Sequence, residues 1–210
     1  MTRSPAVADR FYPGDADHLR SAMEIFVPVV AAEDKQQALA VVMPHAGYVY
    51  SGATAGVTIS RVRVPETVLI MGPNHRGRGA ALALGTEDWR MPMGMVPVDR
   101  DLATAILAGS QAITEDSEAH RYEHSLEVQV PFLQHADHGI GRLVGFDHAH
   151  GLVVFGIERL ADRIDRGQSV VRGHFQQLLQ GQFHAFMQVL GGIALHRGMI
   201  AQMATGEGKT

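Results

Sequence analysis

The sequence predicts an α/β fold: a mostly parallel sheet flanked by helices on both faces, followed by a helical C-terminal segment. Three observations carry that expectation. The apolar run Leu39-Ala40-Val41-Val42-Met43, β-branched in its middle and closed by Pro44, has the length and composition of a buried strand. A second run, Thr67-Val68-Leu69-Ile70-Met71, is built the same way and closes at Gly72-Pro73. Between them, Gly52-Ala53-Thr54-Ala55-Gly56 leads into Val57, Ile59 and Val62, a pattern that suits a helix over residues 52–61 lying close on a sheet. Strand, helix, strand makes a βαβ crossover, which sets its two strands parallel. Each strand then delivers a loop histidine, His45 or His75, to the same edge, where open α/β sheets place their ligands.

The remaining elements follow in order. Ala6 to Gly14 reads as an extended segment closed by a Pro-Gly turn. Asp15 or Asp17 can cap the next helix, whose Leu19, Met23, Phe26 and Val27 share one face. Glu33 to Gln37 is a polar connector. Ala80 to Leu84 suits a short strand, and Trp89 to Asp99 a hairpin-like excursion. Asp99 caps a helix carrying Leu102, Ile106 and Leu107 that ends at Gly109. Leu126, Val130 and Leu133 have helical spacing, and Pro131 marks a kink or a tightened turn there. Beyond Gln134 a strand is expected at Leu152–Phe155. Short helices are expected over 157–164, 170–179 and 183–190.

Composition narrows the function classes. The 210 residues fit one domain with a core that needs no disulfide or structural metal. A formal charge of −4 provides no basic field for nucleic acid. There is no cysteine, which removes disulfides, thiolate ligands and a Cys nucleophile and suits the cytoplasm. No apolar run is long enough to span a membrane, and the residues after Met1 do not read as a signal peptide. The expected partner is a small molecule or a peptide; oligomeric state is not legible.

Two loop histidines at neighbouring strand ends can converge on one metal ion, since imidazole is the commonest transition-metal ligand. They can equally serve as hydrogen-bonding caps. Glu123-His124 opens a predicted helix, where the macrodipole favours a carboxylate and a histidine can act as acid or base. A charged first turn exposed to water is the other reading. Tyr48 and Tyr50 could line a pocket or simply pack. His135, His138, His148 and His150 read as solvated loop. The ending Thr205-Gly206-Glu207-Gly208-Lys209-Thr210 is like a phosphate-binding loop, but Met203 stands at its first glycine and no helix follows Lys209, so no nucleotide-binding residue is expected.

Five blocks of residues then carry a family resemblance. They are Ala6-Val7-Ala8 with Phe11-Tyr12-Pro13; Pro44 to Tyr48 with Tyr50-Ser51-Gly52; Gly72-Pro73-Asn74-His75; Trp89, Pro92, Gly94 and Val96-Pro97-Val98-Asp99; and Glu123 to Gln129. In this order, over residues 6 to about 134, they resemble the MEMO family, whose bacterial and archaeal members are called AmmeMemoRadiSam system protein B. That family is similar in fold to class III extradiol ring-cleavage dioxygenases, which bind non-haem iron(II). The resemblance implies His45 and His75 as ligands of a divalent metal, iron(II) first, with copper, zinc or an empty site as alternatives. It also implies His124 in the same pocket, as a catalytic group that orients substrate or moves a proton. Tyr48 and Glu123 are the expected substrate contacts.

The family's later half supplies a further histidine and a cysteine ligand. The absence of cysteine leaves this chain two protein ligands where three are expected. Residues 187–210 resemble the segment of the translocase motor SecA that ends at its first ATPase motif. The expected organisation is a truncated MEMO-like α/β domain over 1–134, a connecting segment over 135–186 and a SecA-like fragment over 187–210. The expected function is a metal pocket of dioxygenase-like origin, an oxidoreductase if its chemistry survives. The alternatives are a non-enzymatic binder of a peptide or small ligand, and a SecA-like ATPase fragment.

Overall fold

A computed structural model describes residues 1–38, 40–136, 139–148 and 153–156. Its strands are β1 (Thr2–Arg3), β2 (Ala40–Val41), β3 (Thr67–Pro73), β4 (Leu82–Gly85), β5 (Asp88–Met91), β6 (Gly94–Val96), β7 (Thr114–Glu115), β8 (Arg142–His148) and β9 (Val153–Gly156). Its α-helices are α1 (Ala16–Phe26), α2 (Tyr48–Ser60), α3 (Arg100–Gly109), α4 (Ser117–His120) and α5 (Val130–His135), with 3₁₀ turns at Ala32–Asp34 and Glu127–Gln129.

The main sheet has the order β2-β9-β3-β8-β4-β7. It is mixed, where a mostly parallel sheet was expected. β3 runs parallel to β8 and β4 to β7, but β2/β9, β3/β9 and β4/β8 are antiparallel. The crossover from β2 through α2 to β3 does leave those two strands pointing the same way. They are not neighbours, however, because β9 returns between them, antiparallel to both. The strand patterns cannot report this: Val153-Val154-Phe155 is an apolar run that pairs equally well in either direction.

The glycines of α2 also meet a different neighbour from the one expected. Instead of bringing the helix onto the sheet, Gly52 lies against the Phe26 ring and Gly56 against the Phe26 backbone, so the close approach is to α1. The rest of α1 follows the expected pattern: Asp15 caps it by accepting from the N–H groups of Asp17 and His18, and Leu19 and Met23 are fully buried. Asp99 caps α3 by accepting from Leu102 N.

A second, smaller sheet, β1-β5-β6, contains the hairpin, with Trp89 opposite Val96. Trp89 packs close over Gly145 of β8, tying the small sheet to the large one. Pro131 sits in the first turn of α5, where its missing N–H leaves no bond unmade, and the 3₁₀ turn at Glu127–Gln129 precedes it. Two of the histidines expected in solvated loop belong to elements: His135 closes α5 and His148 closes β8. His138, His150 and the expected helices beyond 156 lie outside the described residues.

Candidate metal centre

His45 follows Pro44 at the end of the β2 segment, and His75 follows β3 after Pro73-Asn74. The His45 loop is held at several points. Tyr48 N–H donates to Phe11 O at 2.8 Å, Ser51 Oγ to Ala46 O at 2.9 Å, and Gln129 Nε2 to Pro44 O at 3.0 Å. Tyr48 is 4% exposed. Its hydroxyl donates to Val128 O at 2.8 Å, and its ring packs against Tyr12, Phe26 and Phe132. Tyr50, by contrast, is exposed beside Val49 at the start of α2.

The third histidine comes from the loop between α4 and the 3₁₀ turn. His124 stacks on His75 with ring centroids 4.5 Å apart and lies 5.8 Å from His45, while His45 and His75 are 5.1 Å apart. One potential ligand atom from each of His45, His75 and His124 falls within 4.8 Å of the others. Phe11 packs against His124 at 4.7 Å, so the N-terminal segment forms one wall of the site.

Glu123 is 1% exposed, where an exposed first turn was one reading of the sequence. Its two oxygens receive the backbone N–H groups of His75, His124 and Ser125. Burial alone would raise this carboxyl, but hydrogen bonds from His124, His75 and Ser125 outweigh it and hold the group well below the usual carboxylate range. Burial pushes His45 down to about 4, helped by His75 and His124 and opposed by Glu123. His45 is therefore neutral near pH 7, the form in which an imidazole carries a lone pair for a cation.

Sequence reasoning missed Glu127, three residues further on. This fully buried carboxylate pairs with Arg3 Nη1 at 2.7 Å and accepts from Ala6 N, Val7 N and Tyr12 Oη. It fastens the N-terminal segment, Phe11 included, against the site. The signal was Glu127 placed between Leu126 and Val128, a carboxylate inside an apolar stretch.

Residues 3–144 match the model of the Memo-like protein family. The chain belongs to that family. It is 46% identical over 134 residues to a MEMO1 family protein of Archaeoglobus fulgidus, covering 63% of this chain and 49% of that one. The corresponding figures are 44% over 133 residues, 63% and 49%, for a MEMO1 family protein of Aquifex aeolicus. For one of Methanopyrus kandleri they are 43% over 147 residues, 64% and 52%. The chain thus spans about half the length of the curated relatives it matches. Residues 154–210 are similar to the SecA DEAD-like domain, as the ending suggested, and lie almost wholly outside the described residues. Among the described residues, no helix is long and apolar enough to cross a membrane.

Proposed function

We propose that this Memo-like protein binds one divalent metal ion, iron(II) first with copper or zinc as alternatives, and is a dioxygenase-like oxidoreductase of the cytoplasm. The observation that carries the reading is the convergence of His45, His75 and His124 on a space of ligand-atom separations no wider than 4.8 Å. Three imidazoles, one of them kept neutral by burial, are a donor set that suits a divalent transition metal. His45 and His75 hold the ion from the two strand ends. His124 takes the third position in place of the cysteine that the chain lacks, and this geometry favours it as a ligand over a free acid–base group. Iron(II) bound there supplies the redox centre for oxidising a small molecule with dioxygen.

The protein's own residues orient that chemistry. Glu123 is buried against His75 and His124, and Tyr48 is buried among Tyr12, Phe26 and Phe132, so substrate contact falls to more exposed groups, Tyr50 among them. The matches at 3–144 and 154–210 support a division into a MEMO-like part and a SecA-like ending, proposed over 1–134 and 187–210 with 135–186 connecting them.

One observation favours a second reading, a non-enzymatic pocket for a peptide or small ligand. Val49 and Tyr50 are 92% and 87% exposed beside the site and offer apolar surface for a ligand to cover. Oxygen uptake separates the two readings. Protein loaded with iron(II) under anaerobic conditions is mixed with aerated buffer and a panel of aromatic diols and small acids. Uptake that depends on one compound and disappears in His124→Ala supports the oxidoreductase. Binding of a compound without uptake supports the second reading.

A further inference from the structure

Two of the three imidazoles bring Nδ1 close to one carboxylate oxygen, and the His75 ring is hydrogen-bonded to it. His75 Nδ1 lies 2.9 Å and His124 Nδ1 3.1 Å from Glu123 Oε1. The same oxygen takes the backbone N–H groups of His124 at 2.8 Å and Ser125 at 3.0 Å, and Oε2 takes that of His75 at 2.7 Å. Oxygens that already take three backbone N–H groups act as acceptors, so His75, hydrogen-bonded through Nδ1, carries its proton there, and the 3.1 Å approach of His124 Nδ1 favours the same tautomer. The lone pair of each neutral ring then sits on Nε2. Among the described residues no carboxylate bonds the His45 ring.

We infer that Glu123 is a positioning residue for the pair, fixing His75 and His124 in the same tautomer so that both offer Nε2 to a single cation. Ligating histidines commonly give their second nitrogen to a carboxylate or carbonyl, which sets ring orientation and basicity. Here one carboxylate does this for two ligands, so losing it releases both together. Glutamine is no substitute: its amide group would turn a donor toward at least one of the N–H groups that the carboxylate now satisfies. Aspartate keeps the charge but is one methylene too short to reach both rings while holding its backbone donors.

The inference rests on the metal reading for its affinity measurement and is independent of it for its tautomer measurement. Nitrogen-15 long-range NMR on the full, metal-free chain reports which nitrogen of each histidine is protonated. The wild type is expected to show Nδ1–H at His75 and His124. In Glu123→Ala both rings shift toward Nε2–H, and Glu123→Asp keeps at most one of them, with His45 unchanged in either variant. Zinc titration should show a loss of about 10–100-fold in affinity for each variant. A thermal melt establishes that the variants are folded, and Glu123→Asp carries the test where Glu123→Ala does not fold. Nε2–H at either ring of the wild type overturns the inference. So does a folded Glu123→Asp with wild-type tautomers and wild-type zinc affinity. A wild type with no zinc affinity refutes the metal reading, and the tautomer comparison then decides the inference alone.

Discussion

Glu127 ties the N-terminal segment to the site from a fully buried position. Its carboxylate meets one guanidinium, one hydroxyl and two backbone N–H groups, all without contact with water. Burial, followed by the neighbouring Glu127 charge and its hydrogen bond, pushes the Tyr12 hydroxyl well above its ordinary range, so it stays a neutral donor. Removing one partner of a buried pair leaves the other charge uncompensated. Glu127→Ala is therefore expected to destabilise the protein by about 3–5 kcal/mol, read from urea midpoints. A change near zero would show that Arg3 finds water or another partner. At this scale the sequence was half legible. His45 and His75 announced themselves because two strands ended in the same kind of loop. Glu123 was a candidate too, but its burial was not legible, since a carboxylate before a helical run looks the same whether it faces water or turns inward. Glu127 and Arg3 are 124 residues apart, a separation no local pattern spans.

At the scale of elements, the local signals held where the physics was local. Asp99 sits before an amphipathic run and caps it; Pro131 falls in a first helical turn. Partner choice was not local. The small residues of α2 said that something comes close, but not that it is Phe26 of α1. That contact is testable. A methyl added at Gly56 would fall on the Phe26 carbonyl, which is backbone and cannot turn aside, whereas one at Gly52 meets the ring, which can. Gly56→Ala is expected to cost about 1–3 kcal/mol despite the better helix propensity of alanine, and Gly52→Ala less. Equal thermal midpoints for the two variants would contradict this packing. The mixed sheet was illegible for a related reason: strand direction depends on where the chain returns from, and β9 returns from the opposite end of the sheet to β8.

Across the whole molecule, one buried pair gives stability a pH dependence. Asp147 is fully buried, and His120 Nδ1 lies 2.7 Å from its Oδ2. The approach is poorly aligned, and neither side chain has a well-formed hydrogen bond among the described residues. Burial raises the Asp147 carboxyl above its ordinary 3.8, partly offset by His120. Because the folded value lies above the unfolded one, ionisation favours the unfolded chain. The stabilising share of this group is complete below the ordinary value and is lost as pH rises through the raised one. The stability of Asp147→Asn relative to wild type should therefore improve as pH rises from about 4. A difference that does not vary with pH would show that Asp147 is not buried in the ionisable state described.

The function proposed for this protein stands or falls with the three histidines acting as one metal site. The direct measurement is elemental analysis of anaerobically purified protein after incubation with iron(II), copper or zinc and desalting. The wild type and a His45→Ala/His75→Ala double variant are compared, with folding checked by circular dichroism. About one ion per chain in the wild type and none in the folded double variant is the predicted result. No retained ion in the wild type, or equal retention in both, would contradict it.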